Sequence, residues 1–421
     1  MWKHPWGYAE GLTICGGLLL TGIMLQFAVG KVELGRLSYP FGLIAGALFL
    51  ILLIVLHVAS RRAGLLRWLS GQVAAITAVS ALLLLVIIMG LTRQLPAYED
   101  VLSEASARHN LSMENPAGRM GFMQMTSAWP FALLFLYMLL ILGLVTLRRL
   151  SRFRLKDLGF ALNHLGLFTA LFAAAFGSGD LRRLRMTAPL NSPEWRAVDE
   201  RNEIVELPLA VELKSFGIDE YPPKLMLMDN SSGAILPPGR PAGVEVEASP
   251  AVLELAGWQV EVVKYFPAAA ALINSDTTLF AEMEMEGSAA AVYARVRDAN
   301  GAALREGWVS CGSFMFPPIP LPLSDKVSLI MPDREPRRFS SEVTVYTKGG
   351  DRRRALIEVN RPMAIDGWQI YQLSYDQARG RWSRYSVFEL VRDPWLPIVY
   401  AGIGMMLAGA VFLFLSKPRK E

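Results

Sequence analysis

The stretch RRLSRFRLKD (residues 148–157) followed by LGFALNHLGLFTALFAAAF (158–176) decides how this chain is built. A basic run closes one apolar segment and opens another, and each segment has the roughly 20 residues a helix needs to cross a hydrocarbon core about 30 Å thick. Working outward, the same test of length and apolarity picks out six spans, at residues 11–30, 41–59, 71–92, 128–147, 157–177 and 395–415. Three short segments carry the basic residues: Arg61-Arg62 to Arg67, Arg148 to Lys156, and the tail Lys417-Pro418-Arg419-Lys420. By the positive-inside rule all three are cytoplasmic, which places both termini inside and residues 31–40, 93–127 and 178–394 outside. The first span follows Lys3 and precedes Lys31 and Arg36 with no small-residue cleavage site, so it is expected to be retained.

Composition agrees. Of 421 residues 52% are apolar and only 19% charged, too greasy for a soluble enzyme, and 10 Trp, 20 Phe and 12 Tyr exclude a disordered chain. The net charge of +4 sits in arginines beside apolar runs, which orients the chain in a bilayer and argues against nucleic-acid binding. The two cysteines, Cys15 and Cys311, make neither a CxxC motif nor a four-ligand zinc site, and no internal disulfide is expected. No phosphate-cradling Gly loop, Ser/His/Asp arrangement or metalloprotease motif is present, which argues against hydrolase and NTPase chemistry.

Residues 178–394 change character. Trp258 to Phe266, Glu342 to Tyr346 and Trp368 to Gln372 alternate and are rich in β-branched and aromatic residues, with Gly-Gly, Asp-Gly and Pro-Pro pairs between such runs. An all-β extracytoplasmic domain is expected, with a hairpin turning at Thr347–Asp351 between the strand ending at Tyr346 and the one from Arg354 to Val359. The fold class is thus a membrane α-helical bundle of six transmembrane helices with a large all-β domain.

The chain has four histidines. His164 lies about two turns inside the fifth span and His57 near the cytoplasmic end of the second. An ionisable group inside a bilayer suggests a functional site with a partner, and neutral imidazole is a common axial ligand of haem iron. The plainer readings are a structural hydrogen bond across helices for His164, with Asn163 or a neighbouring span, and a headgroup or inter-helix bond for His57. His4 and His109 read as solvated. Asp180 with Arg182, Arg183 and Arg185 reads either as interfacial salt bridges or as a carboxylate-binding cluster. Gly166, Gly177 and Gly179 permit close helix approach or end the helix. Cys15 reads as a small apolar residue.

Several motifs resemble the ResB (CcsB) family of cytochrome c biogenesis proteins. They are the run Trp129 to Arg149, Leu158 to Phe168 with His164, Gly177-Ser178-Gly179, Leu207-Pro208-Leu209 to Phe216, Tyr221-Pro222-Pro223, Ile357 to Pro362, Asp366 to Asp376, and Arg392-Asp393-Pro394 leading into the last span. The resemblance covers roughly residues 71–415. It implies a division into 1–70, two additional N-terminal helices; 71–177, family-core spans; 178–394, the β domain; and 395–421, the last span and tail. It further implies a subunit of the system II cytochrome c synthase in a bacterial inner membrane, with the β domain periplasmic. There it would bind and export haem b with a CcsA (ResC) partner and support haem attachment to apocytochrome c, beside a thioredoxin-like thiol reductant. The catalytic haem-lyase motif is expected on the partner. His164 is implied as the haem axial ligand and iron site, while His57, outside the family core, is a weaker second contact. A membrane scaffold that binds no haem, and a transporter using His164 as a proton relay, are the competing classes.

Overall fold

The structure is a computed structural model that describes residues 6–60, 64–94, 115–239, 241–273, 278–298 and 304–415. It divides into a unit made of Met1–Arg183, Glu200–Asn202 and Val391–Glu421, and a unit made of Leu184–Asp199 and Glu203–Leu390.

The first unit is helical. Its helices are α1 (Tyr8–Val29), α2 (Phe41–Ala59), α3 (Gly64–Leu69), α4 (Gln72–Leu91), α5 (Pro116–Arg119), α6 (Trp129–Leu150), α7 (Leu158–Phe176) and α8 (Leu396–Leu415). Among the described residues, α1, α2, α4, α6, α7 and α8 are long and apolar enough to cross a membrane, and they are the six spans expected. This is a multi-pass membrane protein. Its outward side chains are greasy, with Leu20, Phe27, Ile51, Leu84 and Phe414 each more than half exposed, because a hydrocarbon solvent imposes no polar exterior.

Helix α6 is the axis of this unit. It starts at Trp129-Pro130, where proline's missing N–H costs nothing, and it packs against α1, α2, α4 and α7 while burying Leu134, Leu139, Ile141 and Leu144. Close approach relies on small residues, because lipid tails supply no hydrophobic drive for helix pairing. Gly143 of α6 accommodates Leu53 of α2 and Phe168 of α7. The α7–α8 pair meets backbone to backbone: a Cβ on Gly166 would lie 2.5 Å from the Gly402 carbonyl oxygen, and one on Gly402 would lie 2.6 Å from that of Gly166. Gly177 caps α7.

The second unit is built of strands, with one short 3-10 turn at Gly380–Trp382. The strands are β1 (Arg182–Pro189), β2 (Pro193–Val198), β3 (Ile204–Glu220), β4 (Lys224–Asp229), β5 (Ile235–Leu236), β6 (Gly243–Glu245), β7 (Ala251–Leu255), β8 (Trp258–Ile273) and β9 (Thr278–Glu282). They continue with β10 (Ala289–Asp298), β11 (Leu304–Ser310), β12 (Leu321–Pro322), β13 (Val327–Ile330), β14 (Pro336–Thr347), β15 (Arg352–Glu358), β16 (Met363–Ile365), β17 (Trp368–Tyr375) and β18 (Tyr385–Arg392). An eight-stranded sheet runs β15-β14-β3-β2-β1-β18-β17-β16, and two five-stranded sheets hold β11-β10-β8-β7 with β9, and β12-β13-β4-β5 with β6. The expected hairpin is present, with Tyr346 paired to Arg352.

The large sheet cannot be flat. Its end strands β15 and β16 are joined by residues 359–362 alone, a link that reaches at most about 18 Å, whereas seven strand spacings of ~4.8 Å would separate flat edges by about 34 Å. The sheet therefore curls until its ends meet, and Glu358 and Arg361 exchange backbone hydrogen bonds at the seam, with Asn360 in the left-handed conformation (φ 63). Alternating side chains, among them Met186, Leu213, Val345, Ile357, Ile370 and Phe388, fill the inside. At the seam the buried Glu358 carboxylate accepts from Arg338 at 2.9 Å and Arg361 at 3.3 Å, so its charge is paired.

Replacing Gly402 by Val places a Cβ against the α7 backbone and is expected to cost about 1–3 kcal/mol, read as a lower melting temperature in detergent. Gly404→Val, where the added atoms meet open space, is expected to leave the melting temperature unchanged.

Candidate functional site

His164 sits one helical turn beyond Phe160, so both side chains lie on one face of α7. Its Nδ1 is 3.2 Å from the Phe160 carbonyl oxygen. A carbonyl only accepts, so Nδ1 is the donor in that bond, and in the neutral imidazole Nε2 then keeps the lone pair. The imidazole is half-buried and stacks on the Phe160 ring, with centroids 3.7 Å apart and planes 23° from parallel. Arg149 lies over Phe160, 5.2 Å from its centroid, and pairs with Asp157 at 2.9 Å. A continuous set of contacts thus runs from Asp157 through Arg149 and Phe160 to the imidazole and fixes its orientation.

The ring borders a cavity of about 1170 Å³ in the helical unit. Its walls come from the start of α4 and from α6, including Val73, Ile76 and Val145, and from the basic connection with Arg148, Arg149, Arg152 and Arg154. Arg148 directs Nη1 to the Ser70 carbonyl and hydroxyl oxygens, both at 3.2 Å, and so ties the end of α6 to the turn before α4. An apolar middle with an imidazole at one place and guanidiniums at another suits an amphipathic ligand that offers a metal or acidic proton and acid groups.

The other positions marked by the sequence are distributed elsewhere. His57 is in the last turn of α2; its carbonyl accepts from Ser60 Oγ at 2.6 Å, its Nδ1 is buried with no hydrogen-bond partner among the described residues, and it does not line the His164 cavity. His4 and His109 lie outside the described residues. His164 and Asn163 do not bond across helices: Asn163 Nδ2 donates to Gly159 O at 2.9 Å, along its own helix like His164. Asp180 is held by two neutral donors, the Tyr39 backbone N–H at 2.6 Å and Trp395 Nε1 at 2.8 Å, in place of an ion pair with Arg182 or Arg183. Arg182 borders a cavity of about 500 Å³ beside it. The arginines at 148–154 read in the sequence as topology signals; what reading along the chain missed is that they share a cavity with His164. The signal available was their spacing, 10 to 16 residues before a histidine on the next helix.

In the strand unit a cavity of about 550 Å³ is lined by Ser288, Cys311, Tyr375 and Trp382. Cys311 and Cys15 are both free and buried. Burial pushes the Cys311 thiol up to about 11, so it stays protonated and inert near neutral pH. The Ser288 hydroxyl of the same cavity is buried with no hydrogen-bond partner among the described residues. Among the described residues no group of three or more His, Cys, Asp or Glu is placed to hold a metal ion.

Residues 323–384 match the model of the ResB-like family. That segment lies within the strand unit and contains the seam turn at Asn360, the Asp366-Gly367 turn and Tyr375, so the family resemblance is borne out there. Among solved structures the chain is similar to a protein named Cytochrome c Heme Lyase CcmF, with 14% identity, a TM-score of 0.22, and coverage of 89% of this chain and 46% of that one. The chain thus spans under half the length of that protein, and so slight a likeness carries no argument. No curated protein matches the chain.

In a Cys15→Ala variant, where Cys311 alone reports, alkylation of the native protein at pH 8 is expected to be at least about a hundredfold slower than after unfolding, since thiolate is the reactive form. The sign follows from the raised value: thiolate forms only as pH climbs toward 11. Native and unfolded rates within a few-fold of each other, followed by mass spectrometry, would contradict this burial.

Proposed function

Taking as premise that the chain is a ResB-like protein of cytochrome c biogenesis, matched over residues 323–384, we propose that it binds haem b in the membrane through His164 and passes it outward for attachment to apocytochrome c. The observation that carries this is the imidazole itself. Its Nδ1 is committed to Phe160 O, so in the neutral ring Nε2 has the lone pair a haem iron needs, beside an open cleft of about 1170 Å³. Nδ1–H bonding to a backbone carbonyl is also a common way to set the tautomer of a metal-binding histidine.

The basic connection supports the sidedness. With Arg148, Arg149, Arg152 and Arg154 on the cytoplasmic face, the cavity lies in the inner-leaflet half, where haem made in the cytoplasm arrives. In this reading the protein sits in a bacterial inner membrane with both termini cytoplasmic and the strand unit periplasmic. A CcsA (ResC) partner supplies the catalytic lyase motif and the second axial ligand, and a thioredoxin-like reductant keeps the apocytochrome thiols reduced. His57, whose Nδ1 has no hydrogen-bond partner among the described residues, is the second imidazole available to this pathway. The additional N-terminal spans α1 and α2 extend the surface that meets the partner.

The protein purified with its partner is expected to show a haem absorption band that His164→Ala largely abolishes and added imidazole restores, with maturation of c-type cytochromes in cells falling in parallel. An unchanged band together with normal maturation would exclude the haem-ligand role and leave the scaffold reading.

A further inference from the structure

We propose that Arg152 and Arg154 are the carboxylate-binding pair of the His164 cavity, so that its ligand is recognised by two acid groups as well as by its metal. This rests on the axial-ligand reading of His164 and adds to it which residues select the ligand's periphery.

Four guanidiniums line the cavity, and they divide into two kinds. Arg148 spends donors on Ser70 and on the Arg67 carbonyl, and Arg149 on Asp157, so these two serve the fold. The side chains of Arg152 and Arg154 make no hydrogen bond or ion pair among the described residues, and both residues are exposed at the cavity's basic rim. Their backbone is nonetheless ordered: the Arg152 N–H donates to Arg149 O at 3.2 Å, and the Arg154 carbonyl accepts from Asp157 N at 2.7 Å, opening the turn that leads into α7. Two guanidiniums without partners among the described residues, carried on a held backbone, offer donors to an oxygen-rich anion, and guanidinium matches carboxylate in a bidentate fork.

The spacing suits a porphyrin acid. His164 is six residues into α7, about 9 Å from its first residue at 1.5 Å per residue, and the basic connection lies just before that residue. A porphyrin's reach from iron to propionate, extended by an arginine side chain, covers such a separation. Val73, Ile76 and Val145 line the same cavity and give it apolar wall for an apolar macrocycle. Phosphate headgroups of anionic lipid are the competing oxygen anion at this rim, and the test below separates them.

The full-length protein with its partner is titrated with haem and with haem dimethyl ester, whose two acids are capped. Wild type is expected to prefer haem by about tenfold or more. The double variant Arg152→Gln/Arg154→Gln is expected to lose that preference while binding the ester as wild type does, the ester serving as the check that the cavity is intact. Arg152→Lys/Arg154→Lys keeps the topological charge but not the fork, and is expected to retain only part of the preference. The proposal is overturned if wild type binds haem and ester equally. It is also overturned if the Gln variant weakens both alike, or if anionic phospholipid abolishes the preference by competition. Loss of binding in His164→Ala is expected for both ligands; a preference that survives in His164→Ala refutes the axial ligand and leaves the carboxylate pair standing.

Discussion

The hydrogen bond from His164 Nδ1 to the Phe160 carbonyl is the constraint on which the functional architecture depends. Inside a hydrocarbon solvent a polar donor has no water to turn to, so it must be satisfied by the protein. Here the donor is satisfied by the preceding turn of the same helix, which makes the arrangement independent of any neighbour's rotamer. The stacked Phe160 ring removes the remaining freedom of the imidazole. A single residue therefore presents its second ring nitrogen, Nε2, in a fixed direction. The surrounding helices then have the task of keeping a space open beside it.

That space exists because α7 is bound tightly on one side and only bordered on the other. Glycines 166 and 402 let α7 and α8 meet backbone to backbone, and Gly143 lets α6 receive side chains from α2 and α7. Arg148 ties the end of α6 to the turn before α4, so the basic rim of the cavity is held by the fold and not by the ligand. In the proposed reading, charge that reads as a topology signal along the chain has a second use, because a positive-inside segment and an acid-binding rim call for the same residue type at the same membrane face.

The strand unit follows a different logic. Its large sheet closes through the turn at residues 359–362, and the residues that resemble a family signature sit at structural joints. Asn360 supplies a left-handed residue at the seam, and Glu358 holds two arginines there. Asp366-Gly367 makes the tight turn between β16 and β17, and Tyr375 packs its ring against Phe216 and Phe339.

The amino-acid sequence by itself determined the six spans, the change to strands after α7, and the hairpin at Thr347–Asp351, because each rests on local physics. Apolar length answers the bilayer, alternation answers a half-buried sheet, and Gly at a turn answers backbone sterics. It also marked His164, since an ionisable residue within an apolar run stands out without any knowledge of its neighbours. Only the tertiary structure decided the rest. That Asp180 meets Tyr39 and Trp395 and not its neighbouring arginines depends on residues 141 and 215 positions away. The curling of the sheet depends on strand order, and the meeting of His164 with the basic connection and the start of α4 in one cavity depends on helix packing. None of these is a property of a window of sequence: they are set by which surfaces approach closely enough to bury one another, and that is decided only when the whole chain has found its contacts.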